Sequence, residues 1–419
     1  MRYLSLLVVG LAVACGTAAP PTGSPAPSAN ASPAGSTPSA NPTPSPTSVA
    51  TAGPTAVVTP GPTVSTTLSP TAAPTVSVTL PPPSIAPNAN LVEVVAGGGL
   101  SDPSLGGLAT DAHLTRPTGL AVAPDGTIWI VDRNAGTLLT VTTDGLIHKV
   151  AAGLYGPQGM CLAPDGRPYV AERGSYRVAT TNDSGGIKPV AGNLYKPGFK
   201  GDGGPAKKAL LSQPYDIVSD AAGNLYIADT ANARVRLIRA ETGTISTIAG
   251  NGTQGFAGDG GLATDAQLSN PQALAVDPAG TVLYIADYGD SHLRRVDLVS
   301  GIITTVAGSG AGSVAYDPTL TALQVAPTRL IAVALDGEGN VYLPVFFTDK
   351  GQLVMRMDPT GHLTVVTGGG TSSEPGVPAT DFLIPTIEVL EIEPATGALL
   401  IGSNNGIVYR IPGVTTPVV

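Results

Sequence analysis

The sequence predicts an all-β fold, a six-bladed β-propeller closed by an N-terminal strand, and three observations carry that prediction. A proline-led unit recurs at Pro117, Pro157, Pro214, Pro271, Pro327 and Pro385, at intervals of 40, 57, 57, 56 and 58 residues. Each unit reads as an apolar strand, a turn rich in Asp, Gly and Asn, and a second apolar strand, and about 40 residues suffice for one blade of four short strands. The last unit is one strand short, and a strand of the missing kind stands ahead of the first unit.

The third unit shows the pattern in order. Residues 215–219 form the inner strand, 220–224 the turn and 225–229 the second strand. Residues 233–238 alternate apolar and polar, as a third strand with one wet face does, and 244–250 form the outer strand. Second strands recur at 128–132, 168–172, 283–287 and 341–344, and no stretch has the periodicity of a long amphipathic helix. After Pro385 only three strands follow, 387–392, 398–402 and 407–411. Residues 91–97 match the outer strand 245–250, so they are expected to complete the sixth blade and leave no unpaired edge at the seam. The folded domain is therefore placed at residues 91–413, with a short tail at 414–419.

The N-terminus reads as an export signal over residues 1–14. Arg2 supplies the positive charge, and the apolar run 4–13 is too short to span a bilayer. Ala12-Val13-Ala14-Cys15 looks like a lipobox. That resemblance implies cleavage before Cys15 and a lipid on its thiol, anchoring the chain to the outer face of the cell membrane; the alternative is ordinary cleavage and secretion. Residues 16–90 hold no charged and no aromatic side chain. Such a segment cannot bury enough apolar surface to offset its entropy, so a disordered stalk biased to polyproline II is expected. Fully extended it would reach about 200 Å, and as a flexible coil about 50 Å. Its Pro/Thr/Ser mix also resembles O-glycosylated stalks.

The chain carries 21 Lys and Arg against 30 Asp and Glu, a formal net charge of −9. That balance argues against a nucleic-acid partner, which needs a basic stripe, and leaves lipid as the only membrane contact. With Cys15 lipidated, Cys161 has no disulfide partner, and its apolar surroundings predict a buried small hydrophobe.

A glycine-rich insertion separates most of the units. It runs Gly250-Asn251-Gly252, then Gly255-Phe256-Ala257-Gly258-Asp259-Gly260-Gly261 through Leu268. It recurs as Phe199-Lys200-Gly201-Asp202-Gly203-Gly204, and Gly106 to Leu114 differs from Gly260 to Leu268 in one residue of nine. Unit and insertion together resemble the NHL repeat in its Gly-Asp-Gly-Gly variant, as found in teneurins and in extracellular sensor parts of some bacterial kinases. The resemblance covers residues 91–413 and implies a six-bladed propeller. Members of that family mostly bind proteins, some bind RNA or glycans, and a minority are lyases or hydrolases, so the fold narrows function only weakly.

The insertions 97–116, 192–213, 250–270, 308–326 and 368–384 are expected to crowd one face and form a binding surface, with Phe199, Asp202, Phe256 and Asp259 as candidate contacts. The structural alternative is that Asp202 and Asp259 bond nearby amides while the phenylalanines plug gaps between blades. Lys196 and Lys200, with Lys207 and Lys208, would form a docking patch for an acidic wall polymer, or a solvated loop. Asp132, Glu172, Asp229 and Asp287 end the second strands of four blades. They would form an acidic ring for a cation such as calcium, or cap turns and pair with Arg133, Arg173, Arg234 or Arg295. His113, His148, His292 and His362 fall at unmatched repeat positions, unlike the zinc-binding histidines of the peptidyl-amidating lyases that use a similar propeller. The expected function is a non-catalytic surface module without cofactor, binding a protein or cell-wall glycan. The alternatives are a metal-dependent hydrolase or lyase with its site in the central channel, and a structural spacer.

Overall fold

The computed structural model describes residues 91–310, 312–327 and 330–414. The expected signal segment, Cys15, the stalk and residues 415–419 of the tail lie outside the described residues. Within them, six four-stranded antiparallel sheets follow one another along the chain. Blade 1 comprises Pro117–Val122, Ile128–Asp132, Thr137–Val141 and Ile147–Ala152. Blade 2 comprises Pro157–Leu162, Pro168–Glu172, Arg177–Thr181 and Ile187–Gly192. Blade 3 comprises Pro214–Ser219, Leu225–Asp229, Arg234–Ile238 and Ile245–Ala249. Blade 4 comprises Pro271–Val276, Val282–Asp287, His292–Asp297 and Ile303–Ala307. Blade 5 comprises Ala334–Leu335, Val341–Phe347, Gly351–Met357 and Leu363–Gly368.

Blade 6 takes Ile387–Ile392, Leu399–Ser403 and Ile407–Ile411 from the end of the domain and Glu93–Gly97 from its start. The closing pair is antiparallel, with Glu93 opposite Arg410 and Gly97 opposite Ile407. The expected seam is thus present, and the ring has six blades.

Aspartate makes the first turn of each of blades 1 to 5. Asp125 accepts the Thr127 amide at 2.9 Å, Asp165 that of Arg167 at 3.1 Å, and Asp220 that of Asn224 at 2.9 Å. Asp277 and Asp336 do the same for Thr281 and Asn340. A side chain that bonds its own backbone a few residues on stands in for the hairpin's first ladder bond. Between the turns, strands such as Leu225–Asp229 are buried throughout, because both faces of a blade meet a neighbour. The core is accordingly divided into six apolar clusters, one at each junction. Ala121, Met160 and Val170 join blades 1 and 2, and Tyr342, Ile387 and Leu399 join blades 5 and 6. The expected buried Cys161 lies in the cluster between blades 2 and 3, and burial pushes its thiol pKa well up.

The insertions do not crowd one face, and here the sequence expectation is corrected. The register places the start of each inner strand, the end of the second, the start of the third and the end of the outer strand at one end of the ring, called here the upper end. Each insertion leaves that end, descends along the outer edge of the next blade, and returns to its inner strand. The Gly203 amide donates to the Ile245 carbonyl at 2.8 Å, Ile245 donates to Gly204 at 3.0 Å, and Ala206 donates to Gly243 at 2.9 Å. Gly260 and Gly261 bond Ile303 in the same way, and Gly107 bonds Ile147 in blade 1. In blade 6 residues 376–377 bond Val92. These segments pair the outward amides and carbonyls that an outermost strand otherwise leaves free. Blade 2 follows a short connection and has no such cover among the described residues. Its outer strand instead exposes Lys188 and Pro189, which blunt an edge by charge and by a missing donor.

Candidate functional site

Asp202 and Asp259 complete the edge cover. Asp202 Oδ2 accepts from the Thr247 amide at 3.2 Å and from Thr247 Oγ1 at 2.7 Å, and Asp259 Oδ2 accepts from the Thr305 amide at 3.0 Å. Their other oxygens take Arg236 and Arg294, whose side chains are fully buried. Phe199 lies over both Arg234 and Arg236, at 3.9 and 4.8 Å from guanidinium carbon to ring centre. Phe256 lies 4.9 Å from Arg294 and stacks on His292 at 4.1 Å. The phenylalanines therefore cover arginines of the third strand rather than plug gaps between blades. The arrangement varies as a unit along the repeat. Where the insertion has Leu105 in place of the aspartate, the third strand has Leu139 in place of the arginine. All of this ties Phe199, Asp202, Phe256 and Asp259 to holding the insertions. Lys196 and Lys200 are exposed, as are Lys207 and Lys208.

The four acids that end second strands are buried, and they spend their oxygens on the chain entering the blade. Asp132 accepts the amides of Thr115 and Arg116 at 2.8 and 2.9 Å, and Glu172 that of Tyr155 at 2.8 Å. Asp229 accepts the Ser212 amide at 2.7 Å, and Asp287 those of Ser269 and Asn270 at 2.8 and 2.6 Å. The arginine partners differ from those expected: Glu172 pairs with Arg177 and Asp229 with Arg236. Burial pushes the Asp229 and Asp287 carboxyls up to about 6. Among the described residues no three His, Cys, Asp or Glu side chains gather closely enough to hold a metal ion.

The central channel holds groups that sequence reasoning missed. Asp216 of blade 3 accepts its own strand's Ile217 amide and, across the junction, the Leu274 amide of blade 4, both at 2.8 Å. Its carboxylate also fills the space a side chain at Gly159 of blade 2 would need. Glu391 of blade 6 lines the same channel. Burial pushes Asp216 up to about 7, and burial with the Asp216 charge pushes Glu391 up to about 8. Charged residues inside otherwise apolar inner strands were the signal that would have found them.

At the upper mouth of the channel, burial and the Glu388 charge push the Tyr215 hydroxyl up, and the charges of Arg133, Arg173 and Arg116 oppose that shift. Arg116 holds both Glu388 oxygens, at 2.9 and 3.0 Å. Arg173 donates twice to Gln213 Oε1, at 3.2 and 2.8 Å, and lies 6.0 Å from the Tyr215 ring. Gln213 has a positive φ of 51°, a backbone state uncommon outside glycine. Exposed aromatics stand around the same upper end. They are Tyr155 in the connection to blade 2, Tyr195 just after its outer strand, Tyr288 after the second strand of blade 4, and Phe346 near the end of that strand in blade 5. A separate groove of about 800 Å³ opens between blades 4 and 5, lined by Arg295, Leu320, Leu323, Met357 and His362.

No family model matches this chain. Mouse Teneurin-1 is 38% identical over 100 residues, covering 21% of this chain and 4% of the relative. Mouse Teneurin-4 is 26% identical over 216 residues, 46% of this chain and 7% of the relative. The chain thus spans less than a tenth of the length of these relatives. Among solved structures, an auxiliary nutrient-binding protein from Bacteroides thetaiotaomicron aligns with a TM-score of 0.56 at 14% identity, over 77% of this chain and 76% of that one; this is a likeness of fold. Six four-stranded blades closed at an N-terminal strand, with sequence similarity to teneurins over at most 46% of the chain in these two matches, support an NHL-type β-propeller.

Proposed function

We propose that this is an exported, lipid-anchored surface protein whose propeller is a non-catalytic binding module for a protein or cell-wall glycan, held out on the stalk of residues 16–90. The observation that carries the reading is the set of exposed aromatics at the upper end. Tyr155 and Tyr195 come from the connections on either side of blade 2, Tyr288 from blade 4 and Phe346 from blade 5, and they are 56%, 60%, 37% and 43% exposed. Aromatic side chains present large, stiff contact area, and a rigid ring of blades fixes their positions. Similarity to teneurin repeats supports the same reading. The test is capture of partners from surface extracts and wall polymers by the propeller, residues 91–419. Retention that is lost when Tyr155 and Tyr195 become alanine supports the module; no retained partner from either source refutes it.

A second reading rests on Asp216 and Glu391, two carboxyls in the channel with raised pKa values, a pattern found at reactive sites. It is a hydrolase or lyase with a channel metal. Elemental analysis of the purified protein tests it: a stoichiometric metal lost in Glu391→Gln would favour the enzyme over the binding module.

A further inference from the structure

We infer that the upper mouth of the channel is an oxyanion site for the acidic group of a saccharide, with Arg133 and Arg173 as its principal donors and the Tyr155–Tyr195 pair as the platform for the sugar ring. The inference begins with charge. The chain as a whole is acidic, at −9, yet Arg116, Arg133 and Arg173 all act electrostatically on one tyrosine at the channel mouth, and Arg173 lies 6.0 Å from its ring centre. A single carboxylate there, Glu388, is occupied by Arg116 through both its oxygens. Among the described residues, Arg133 and Arg173 have no carboxylate within ion-pair distance. Their partners are neutral amides, Gln158 for Arg133, at 3.2 and 3.3 Å in its hydrogen-bonding orientation, and Gln213 for Arg173.

Like charges held together in a half-buried site repel, and partial burial strengthens the repulsion. The Arg133 pKa is lowered first by burial and then by the Arg116 charge. An assembly that costs stability needs a compensating anion, and planar guanidinium forks suit a carboxylate or phosphate. The amides fix the forks in advance: Gln158 is buried, and Gln213 is held in its positive-φ backbone state.

The platform supplies the second half. The Tyr155 ring lies against Gly174, the neighbour of Arg173, close enough that a Cβ there would collide with it. The Tyr195 amide donates to the Ser175 carbonyl at 3.2 Å. The two rings meet edge to face at 5.4 Å and remain exposed. A sugar presents apolar C–H faces to an aromatic ring and hydroxyls at its rim, so a ring on this pair would place an attached acidic group toward Arg173. The chemistry fits a uronate or a sugar phosphodiester alike. This site lies on the face proposed above for binding, and it rests on that reading for its location only, because its test uses defined small probes.

The full-length chain is titrated calorimetrically with oligogalacturonate, with a phosphodiester-linked oligosaccharide, with a neutral oligosaccharide of equal length, with oligoglutamate and with inorganic phosphate. Binding of either acidic polymer, weakened by added salt, supports the site; which of the two binds more tightly identifies the acid. Arg133→Gln and Arg173→Gln should each weaken it about tenfold or more. Arg173→Lys, which keeps the charge and removes the fork, should lose part of the affinity, so a folded variant with a defined change is available. Tyr195→Ala should weaken the saccharide but leave inorganic phosphate binding unchanged. Equal binding of the neutral oligosaccharide, equal or tighter binding of oligoglutamate, insensitivity to both arginine variants, or no binding of any probe would each overturn the assignment. If capture from wall polymers succeeds while these probes fail, the face binds and the oxyanion site is wrong.

Discussion

Arg294 Nη2 donates to Asp259 Oδ1 at 2.5 Å, joining a fully buried third-strand arginine of blade 4 to an insertion residue 35 positions earlier. The same contact joins Arg236 to Asp202 in blade 3. It is the point where a glycine-rich loop becomes part of a sheet edge.

Removing the acid leaves the arginine buried and poorly compensated. Asp259→Ala is expected to destabilise the domain by about 1–3 kcal/mol, a range kept modest because the aspartate side chain is partly exposed. Asp259→Ala combined with Arg294→Met should recover part of the loss, since the stranded charge goes too. Urea denaturation of the two variants is the check; equal losses in both would contradict the pairing.

The channel carboxyls set a pH dependence. Asp216 and Glu391 titrate at about 7 and about 8, against ordinary values of 3.8 and 4.5. Between those limits the unfolded chain has lost protons that the folded chain keeps, so stability falls as pH rises from about 4 to about 8. Asp229 and Asp287, raised to about 6, add to the lower part of that fall. Glu391→Gln should match the parent near pH 4 and exceed it by about 1–3 kcal/mol at pH 8. Thermal melts across that range measure it; a parent that is most stable at pH 8 would contradict the assignment.

The open edge of blade 2 gives a solubility prediction. Lys188→Val with Pro189→Val restores a donor and removes a charge on an outer strand that nothing covers among the described residues. Larger species should then appear in sedimentation, as expected for edge-to-edge pairing. The same pair of changes on a covered strand should not produce them.

The export reading is tested separately. Cys15→Ala should move the protein from the membrane fraction to the medium, and unchanged retention would refute lipid anchoring.

The blades were legible in the sequence because the proline period and the Asp turns repeat in one register, and the seam was legible because residues 91–97 copy an outer strand. The path of the insertions was not. Glycine-rich segments such as 201–204 permit sharp turns without specifying direction, and the arginine that anchors Asp202 lies 34 residues away in a strand that reads only as alternating. Arg116, Arg133 and Arg173 sit in three separate connections, so nothing local marks them as neighbours. Aligning the repeats would have helped: Arg133 and Arg173 both follow the acid that ends a second strand, in adjacent blades. The Asp216–Glu391 pair was hidden differently, since its members come from blades 3 and 6 and line one channel only when the ring closes.

The seam also decides how the domain carries force. Because Glu93 lies at the lower end and Gly97 at the upper, the chain enters the ring opposite the aromatics. Tension between residue 91 and something gripped above therefore runs along the closing strand, in line with its neighbour Ile407–Ile411. The interstrand bonds are loaded in shear, all together, rather than unzipped one by one. A ring fastened in this way resists pulling best in the direction that a tethered, occupied propeller would be pulled.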